Sequence, residues 1–403
     1  MKKVLLSAFA CDPTRGSEPG CGWNWAEGLA KKGLEVHCIT RATSRAGVDT
    51  KTLPQNLKFS YVRLPFGMEK LYQSSQPAMY LYYVLWQWKA YKIAKALHKV
   101  NGFEVVHHVT WGSLQMGSFM YKLGIPLVFG PAGGGQMAPT AFREYFGEAW
   151  SSEENRKKVS RLLLRFNPAC RTMAKKAAVV LASNEDTFRI ARTNGASRIS
   201  LSLDVGVPDW FFPKESAPKV LERDRLKLLW VGRLMPRKGL LLLLEVMKEL
   251  KSYPGITLTI VGDGTMKEVL LETIENNALG DSVHWKGWVP FDEIGSVYAE
   301  HDAFLFTSLR ESGGVQIVEA MAYGMPVVTL DLHGPGLIVD ADRGFKCACD
   351  TPEIAIKNLK TAVIALYNNP ELVGRLSTGA FKFAASQGWQ KKIDTIVEQF
   401  YCS

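Results

Sequence analysis

Glu311 and Glu319 stand eight positions apart in the run Arg310-Glu311-Ser312-Gly313-Gly314-Val315-Gln316-Ile317-Val318-Glu319. The apolar stretch Ala303-Phe304-Leu305-Phe306-Thr307-Ser308 comes just before and reads as a strand. The glycines between the two carboxylates fall where a helix should begin. Unpaired backbone N–H groups and the positive end of a helix dipole would suit a phosphate there. Eight positions are roughly two helical turns, so both carboxylates can face one ligand at different depths. The pattern fits a phosphorylated polyol such as a nucleotide sugar. Glu319 suits two ribose hydroxyls, because a carboxylate accepts two hydrogen bonds side by side. Glu311 suits the sugar or a developing positive charge. The alternative is a pair of solvated glutamates on a helix surface.

Cations occur at a second strand end. Arg233 and Lys238 follow the expected strand 226–232, in Gly232-Arg233-Leu234-Met235-Pro236-Arg237-Lys238-Gly239. Arg chelates a diphosphate and Lys neutralises it as a point charge, without a metal. A solvated basic turn is the alternative. Gly262, Asp263 and Gly264 end the next strand and bring backbone near a nucleobase, or form an ordinary turn. Trp285-Lys286-Gly287-Trp288-Val289-Pro290 reads as a similar loop, with Gly287 and Val289 offering backbone to base edges. Packing is the default for Trp285 and Trp288.

The first half carries a glycine turn at 12–23, where Gly16 and Ser17 can approach a phosphate or sugar. Gly16, Gly20 and Gly22 do not match G-x-G-x-x-G, which disfavours NAD. His107 and His108 end a strand and point to opposite faces, so one of them can face a ligand; His108 is the choice. The loop Gly130–Gln136 shapes the acceptor side or is a tight turn. Asp340-Ala341-Asp342 imitates a metal motif but reads as a surface turn, and no metal or cofactor is expected.

These residues need elements to position them. Strands are expected at 3–9, 34–40, 104–109, 126–130 and 177–183, then at 226–232, 256–262, 303–308 and 325–330. Helices are expected between them at 21–32, 240–251, 266–276 and 315–323. Such alternation predicts α/β architecture with parallel sheets covered on both faces. A chain of 403 residues implies two doubly wound domains, divided near 207–213. Ligands of such domains sit at the carboxyl ends of the strands. Hydrophobic residues are 47% and charged residues 22%, enough for sizeable cores. No apolar run is long enough to span a membrane. The start 1–10 reads as a strand rather than a leader, and seven scattered cysteines suit a reducing cytoplasm. The net charge of +10 favours anionic partners, but no nucleic-acid motif is present.

At residues 226–345 the chain resembles the retaining GT-B glycosyltransferases of family 4, also called group 1. The resemblance rests on Gly232-Arg233 with Lys238-Gly239, on Gly262-Asp263-Gly264, on Gly287-Trp288-Val289, and on Glu311 to Glu319 with Ala320-Met321-Ala322-Tyr323-Gly324-Met325-Pro326. Gly388-Trp389 resembles the start of the family's last helix. The resemblance implies two Rossmann-like domains facing across a cleft. The first, 1–208, is on the acceptor side; 209–385 binds the donor; 386–403 is a helix crossing back. It implies hexosyl transfer with retention, from a UDP- or GDP-sugar to a glycan, lipid-linked saccharide or small acceptor, as in polysaccharide or glycolipid synthesis. Arg233 and Lys238 then hold the diphosphate without metal, Glu319 the ribose and Glu311 the donor sugar. Gly16, Gly262, Asp263, Gly287, Val289, Ser312, Gly313, Gly314 and Val315 line the donor, with His108 beside the donor sugar or the leaving oxygen. Gly313 stands where many relatives have an aromatic residue, and His107-His108-Val109 departs from their His-x-His strand end. The acceptor hydroxyl would attack the face from which the diphosphate leaves, a phosphate oxygen taking its proton. Lys238→Ala is expected to depress turnover far more than stability. An epimerase, a phosphorylase or a non-catalytic binder are the other function classes.

Residues 80–99 read as a helix with Tyr82, Tyr83, Trp86, Ala90, Ile93, Ala94 and Leu97 on one face and Lys89, Lys92, Lys95 and Lys99 opposite. Such a helix can rest on an anionic bilayer at the inner face of the cell membrane, or pack on its own domain. Basic residues through 155–177 add to the first option.

Overall fold

The computed structural model describes residues 2–214, 218–222 and 224–401, without the side chains of Gln73 and Gln76. The chain divides into two compact units: 1–135, 159–204 and 389–403 form the first, 136–158 and 205–388 the second. The fold is α/β in both.

The first unit holds a seven-stranded parallel sheet: β1 Lys3–Ala8, β2 Glu35–Arg41, β3 Leu57–Val62, β4 Val105–Thr110, β5 Leu127–Ala132, β6 Val179–Ala182 and β7 Ile199–Leu201. Their order is β3-β2-β1-β4-β5-β6-β7. Alternation along β1 sends Val4, Leu6 and Ala8 to one core and Leu5 to the other, so the strand reads as a continuous apolar run. The helix Ser17–Lys31 and the terminal helix Trp389–Phe400 cover one face. They cross at Gly28, where a Cβ would sit 2.2 Å from the Ile393 side chain. The long helix Gln76–Asn101 covers the other face, and Gly102 ends it at φ +64°. Tyr82, Tyr83, Trp86, Ala90 and Ala94 are buried there. Of the two readings of this helix, the structure shows the aromatic face packed on its own domain, while Lys89, Lys92, Lys95 and Lys99 stay exposed. No helix among the described residues is long and apolar enough to cross a membrane.

The second unit holds six parallel strands: β8 Leu226–Val231, β9 Ile256–Val261, β10 Val283–Gly287, β11 Ala303–Phe306, β12 Val327–Leu330 and β13 Gly344–Cys347, in the order β10-β9-β8-β11-β12-β13. Residues 136–158 join this unit because Phe142, Phe146 and Trp150 pack into its core, an excursion that the expected boundaries 1–208 and 209–385 leave out. Trp285 lies within β10 rather than in a loop, and its indole N–H donates to the Gly262 carbonyl at 2.9 Å. Trp288 is 70% exposed, against the packing expected for it.

Candidate active site

In each sheet the strand order reverses between two neighbours, β1 and β4 in the first, β8 and β11 in the second. The loops leaving such a pair at its carboxyl end diverge and open a crevice. In the second unit those loops are 232–239 and 307–314. They are bonded to each other: Leu309 N–H donates to the Arg237 carbonyl at 2.9 Å, and the Thr307 hydroxyl donates to the Gly239 carbonyl at 3.0 Å. Gly239 adopts φ +68°, and a Cβ there would lie 2.0 Å from the Thr307 carbonyl oxygen, so no other residue fits. The next loop is fastened as tightly. Leu234 N–H donates to the Asp263 carbonyl at 3.0 Å, and a Cβ on Gly262 would meet the Gly232 carbonyl oxygen at 1.8 Å.

This stitching brings Lys238 and Glu311 together. Lys238 is 5% exposed, and its ammonium pairs with Glu311 Oε2. Arg237 reaches the same oxygen at 3.3 Å and also donates to the Arg310 carbonyl at 3.1 Å. Burial would raise the Glu311 carboxyl, but the charges of Lys238 and Arg237 outweigh it and hold the group below the usual carboxylate value. Lys238 is pushed below the usual lysine value, first by burial and then by Arg237 and Arg233, against the pull of Glu311. Two cations thus share one carboxylate, and Arg233 adds a third positive charge beside Lys238. Arg310 adds nothing to this excess, since Glu153 neutralises it with a contact of 2.8 Å. Arg233 is exposed and has no hydrogen bond or ion pair among the described residues. The site therefore carries surplus positive charge, which a diphosphate would neutralise.

Gly314, at φ +86°, opens the helix Val315–Ala322. Ser312 and Gly313 lie against Gly334, whose Cβ would sit 1.9 Å from the Ser312 carbonyl oxygen. On the helix Glu319 is 8% exposed, and the Tyr298 hydroxyl donates to its Oε2 at 2.9 Å. Burial pushes its carboxyl up to about 7, with the Tyr298 hydrogen bond opposing the shift. One oxygen is thus committed to Tyr298, which leaves Oε1 rather than both oxygens for a ribose hydroxyl. Asp263 is exposed, and its Oδ1 accepts from Gly264 N–H at 2.7 Å. Gly287 accepts from Gly262 N–H at 2.8 Å, and Val289 lies half-buried just beyond β10.

Two expected residues lie in the first unit. Gly16 is exposed at the start of the helix Ser17–Lys31. His108 is 1% exposed, and both ring nitrogens are engaged: Nδ1 with the Ser7 and Ser118 hydroxyls at 3.1 Å each, Nε2 with Tyr83 at 3.2 Å. Burial pushes its imidazole down to about 4. A neutral, enclosed ring in mid-sheet is a strut, and the catalytic role expected for His108 is withdrawn. His107 points to the other face, bonded to Tyr401 and to the Gly130 carbonyl at 2.7 Å each. Asp340 pairs with Arg343 in a turn, and no cluster of metal ligands occurs among the described residues. Sequence reasoning passed over Arg237 and Tyr298. Arg237 sits in the quoted motif, beside Lys238; Tyr298, on a short apolar helix, gives no such signal.

Residues 211–383 match the family described as Glycosyl transferases group 1. The second unit carries a group 1 glycosyl transferase domain. A component of human phosphatidylinositol N-acetylglucosaminyltransferase is 30% identical over 171 residues, 40% of this chain and 35% of that protein. The chain thus aligns with about a third of this relative's length. Among solved structures, sucrose-phosphate synthase from Thermosynechococcus elongatus superposes with a TM-score of 0.68 at 17% identity, covering 99% of this chain and 98% of that one. Anabaena HepE in complex with UDP gives 0.66 at 17% identity over the full length of both chains. These two likenesses make the fold GT-B, as the motifs implied.

Proposed function

We propose that the chain transfers a hexosyl group from a nucleoside-diphosphate sugar to an acceptor hydroxyl, with retention at the anomeric carbon and without a metal ion. The observation that carries this reading is the surplus of cations at the β8/β11 switch point, where Arg237 and Lys238 share Glu311 and Arg233 adds a third positive charge beside Lys238. As the anomeric bond breaks, negative charge grows on the departing diphosphate. Lys238, held on Glu311, and Arg233, on a loop whose backbone is bonded to its neighbours, meet it with little backbone reorganisation in the transition state. The loop amides at Ser312 to Val315 take the remaining phosphate oxygens. Glu319 Oε1 and the backbone at Gly262, Asp263, Gly287 and Val289 hold the nucleoside. Glu311 stays the counter-ion of the two buried-side cations and presents its edge to the sugar. UDP is the favoured nucleotide, as HepE was solved with it.

A thermal-shift series with UDP, GDP and ADP tests the donor site. One of them is expected to raise the melting temperature by several degrees when present at about 100 times its Kd, through mass action. No shift with any of the three counts against the reading.

We also propose contact with an anionic membrane, now through a different surface. Val159, Leu162 and Phe166 recur at helical spacing and are exposed, with Arg161 and Arg165 beside them. Cosedimentation with phosphatidylserine vesicles should exceed that with phosphatidylcholine vesicles and fall with salt. Equal recovery with both removes this contact.

A further inference from the structure

The switch point of the first unit is built differently from that of the second. Phe9 follows β1, Trp111 follows β4 and Arg41 ends β2, so three carboxyl ends converge. Trp111 adopts φ +57° and Ser17 φ +58°, both left-handed although neither is glycine. Such conformations are disfavoured for a residue with a side chain and persist where the surroundings over-determine them, commonly at ligand sites. Here one side chain ties the two strained residues: Glu18, next to Ser17, accepts the Trp111 N–H with its Oε1.

The strain turns the Trp111 ring into a wall. It stacks on Tyr83 with centroids 4.3 Å apart and planes at 14°, and meets the edges of Tyr72 at 6.1 Å and Tyr80 at 6.3 Å. Trp111, Tyr72 and Tyr80 are only partly buried, whereas Tyr83 beneath them is fully so. The Arg41 guanidinium lies 4.2 Å from the Phe9 ring centroid and 4.6 Å from that of Tyr72. Its Nε donates to the Phe9 carbonyl at 3.2 Å, and its terminal nitrogens make no hydrogen bond among the described residues. Glu18 Oε2 likewise makes none. A plain edge of the core would need neither a strained tryptophan nor a carboxylate and a guanidinium held beside it.

We infer that this corner is a saccharide subsite. A pyranose ring has an apolar C–H face and a rim of hydroxyls. The face would lie on the electron-rich surface of Trp111, flanked by Tyr72 and Tyr80. The rim would give hydroxyl protons to Glu18 and accept N–H bonds from Arg41. The inference rests on the sugar-transfer reading, and it makes the acceptor a sugar ring rather than a lipid alcohol or a bare polyol.

Saturation-transfer NMR on the full chain tests it, with maltose, N-acetylglucosamine and methyl α-mannoside as probes, each with and without UDP. At least one sugar is expected to receive saturation, strongest at its ring C–H protons. Trp111→Ala and Arg41→Gln should each weaken that signal about fivefold, the size of one aromatic contact or one hydrogen bond. UDP saturation should stay the same in both variants. If Trp111→Ala fails to fold, Arg41→Gln at the rim decides. The proposal is overturned if none of the three sugars binds the wild-type chain, or if sugar binding survives undiminished in the folded variants. UDP is read in the same tubes, so a failure of the donor site shows up separately from a failure of this one.

Discussion

Arg233→Ala lowers turnover about a hundredfold, the usual cost of removing one fixed donor from a developing anion. Its melting temperature stays close to that of the wild type, because the side chain is exposed and has no partner among the described residues to lose. Lys238→Ala behaves otherwise. It costs turnover on the same scale and also stability, on the order of 3 kcal/mol, because Glu311 is left largely buried with only the longer contacts to Arg237 and the Ser308 hydroxyl. This revises the expectation that Lys238→Ala would depress turnover far more than stability, since the sequence showed a cation but not its enclosed partner. The pair of variants separates chemistry from packing. Initial rates and urea unfolding on both decide it: full activity in folded Arg233→Ala removes the residue from the diphosphate site.

Glu319→Gln changes how both stability and nucleotide affinity depend on pH. Burial holds the folded Glu319 carboxyl at about 7, above the ordinary glutamate value of 4.5. Between those two pH values the folded chain keeps a proton that the unfolded chain has lost. The stabilisation from this group is therefore fully present below pH 4.5 and disappears as pH rises through 7. A shift of this size corresponds to on the order of 3 kcal/mol. Glutamine never ionises and lacks the effect, so the variant should gain on the wild type by that amount between pH 4.5 and pH 8. Parallel profiles in urea unfolding would contradict the buried carboxyl. Binding runs the opposite way. Ribose hydroxyls donate to the ionised form, so wild-type affinity for the nucleoside diphosphate should rise as pH passes through 7, whereas that of Glu319→Gln stays low and flat.

The strands the sequence hid share one position. β3, β7, β10 and β13 are the four edge strands of the two sheets. Central strands such as β1 and β11 are covered on both faces and read as unbroken apolar runs. An edge strand has a neighbour on one side only, and it is short or polar, as in Gly344-Phe345-Lys346-Cys347 or Val283-His284-Trp285-Lys286-Gly287. No apolar run marks it. The donor-side cluster was legible because Arg233, Lys238, Glu311 and Glu319 follow central strands. Its helical neighbours Tyr298 and Glu153 were not, because a contact between elements far apart in sequence leaves no local pattern. His108 misled for a related reason. A histidine at a strand end looks the same in sequence whether it meets a ligand or, as here, three buried hydroxyls.

Side-chain cations, on this account, do the work of a metal at the diphosphate. Calorimetric titration of UDP into the wild-type chain, with EDTA and then with magnesium, measures this directly. The same Kd is expected in both, with binding at least tenfold weaker in Arg233→Ala, since a hydrogen bond to a charged group contributes about 1.5–3 kcal/mol. UDP binding that appears only with magnesium, or that ignores the loss of Arg233, would contradict it.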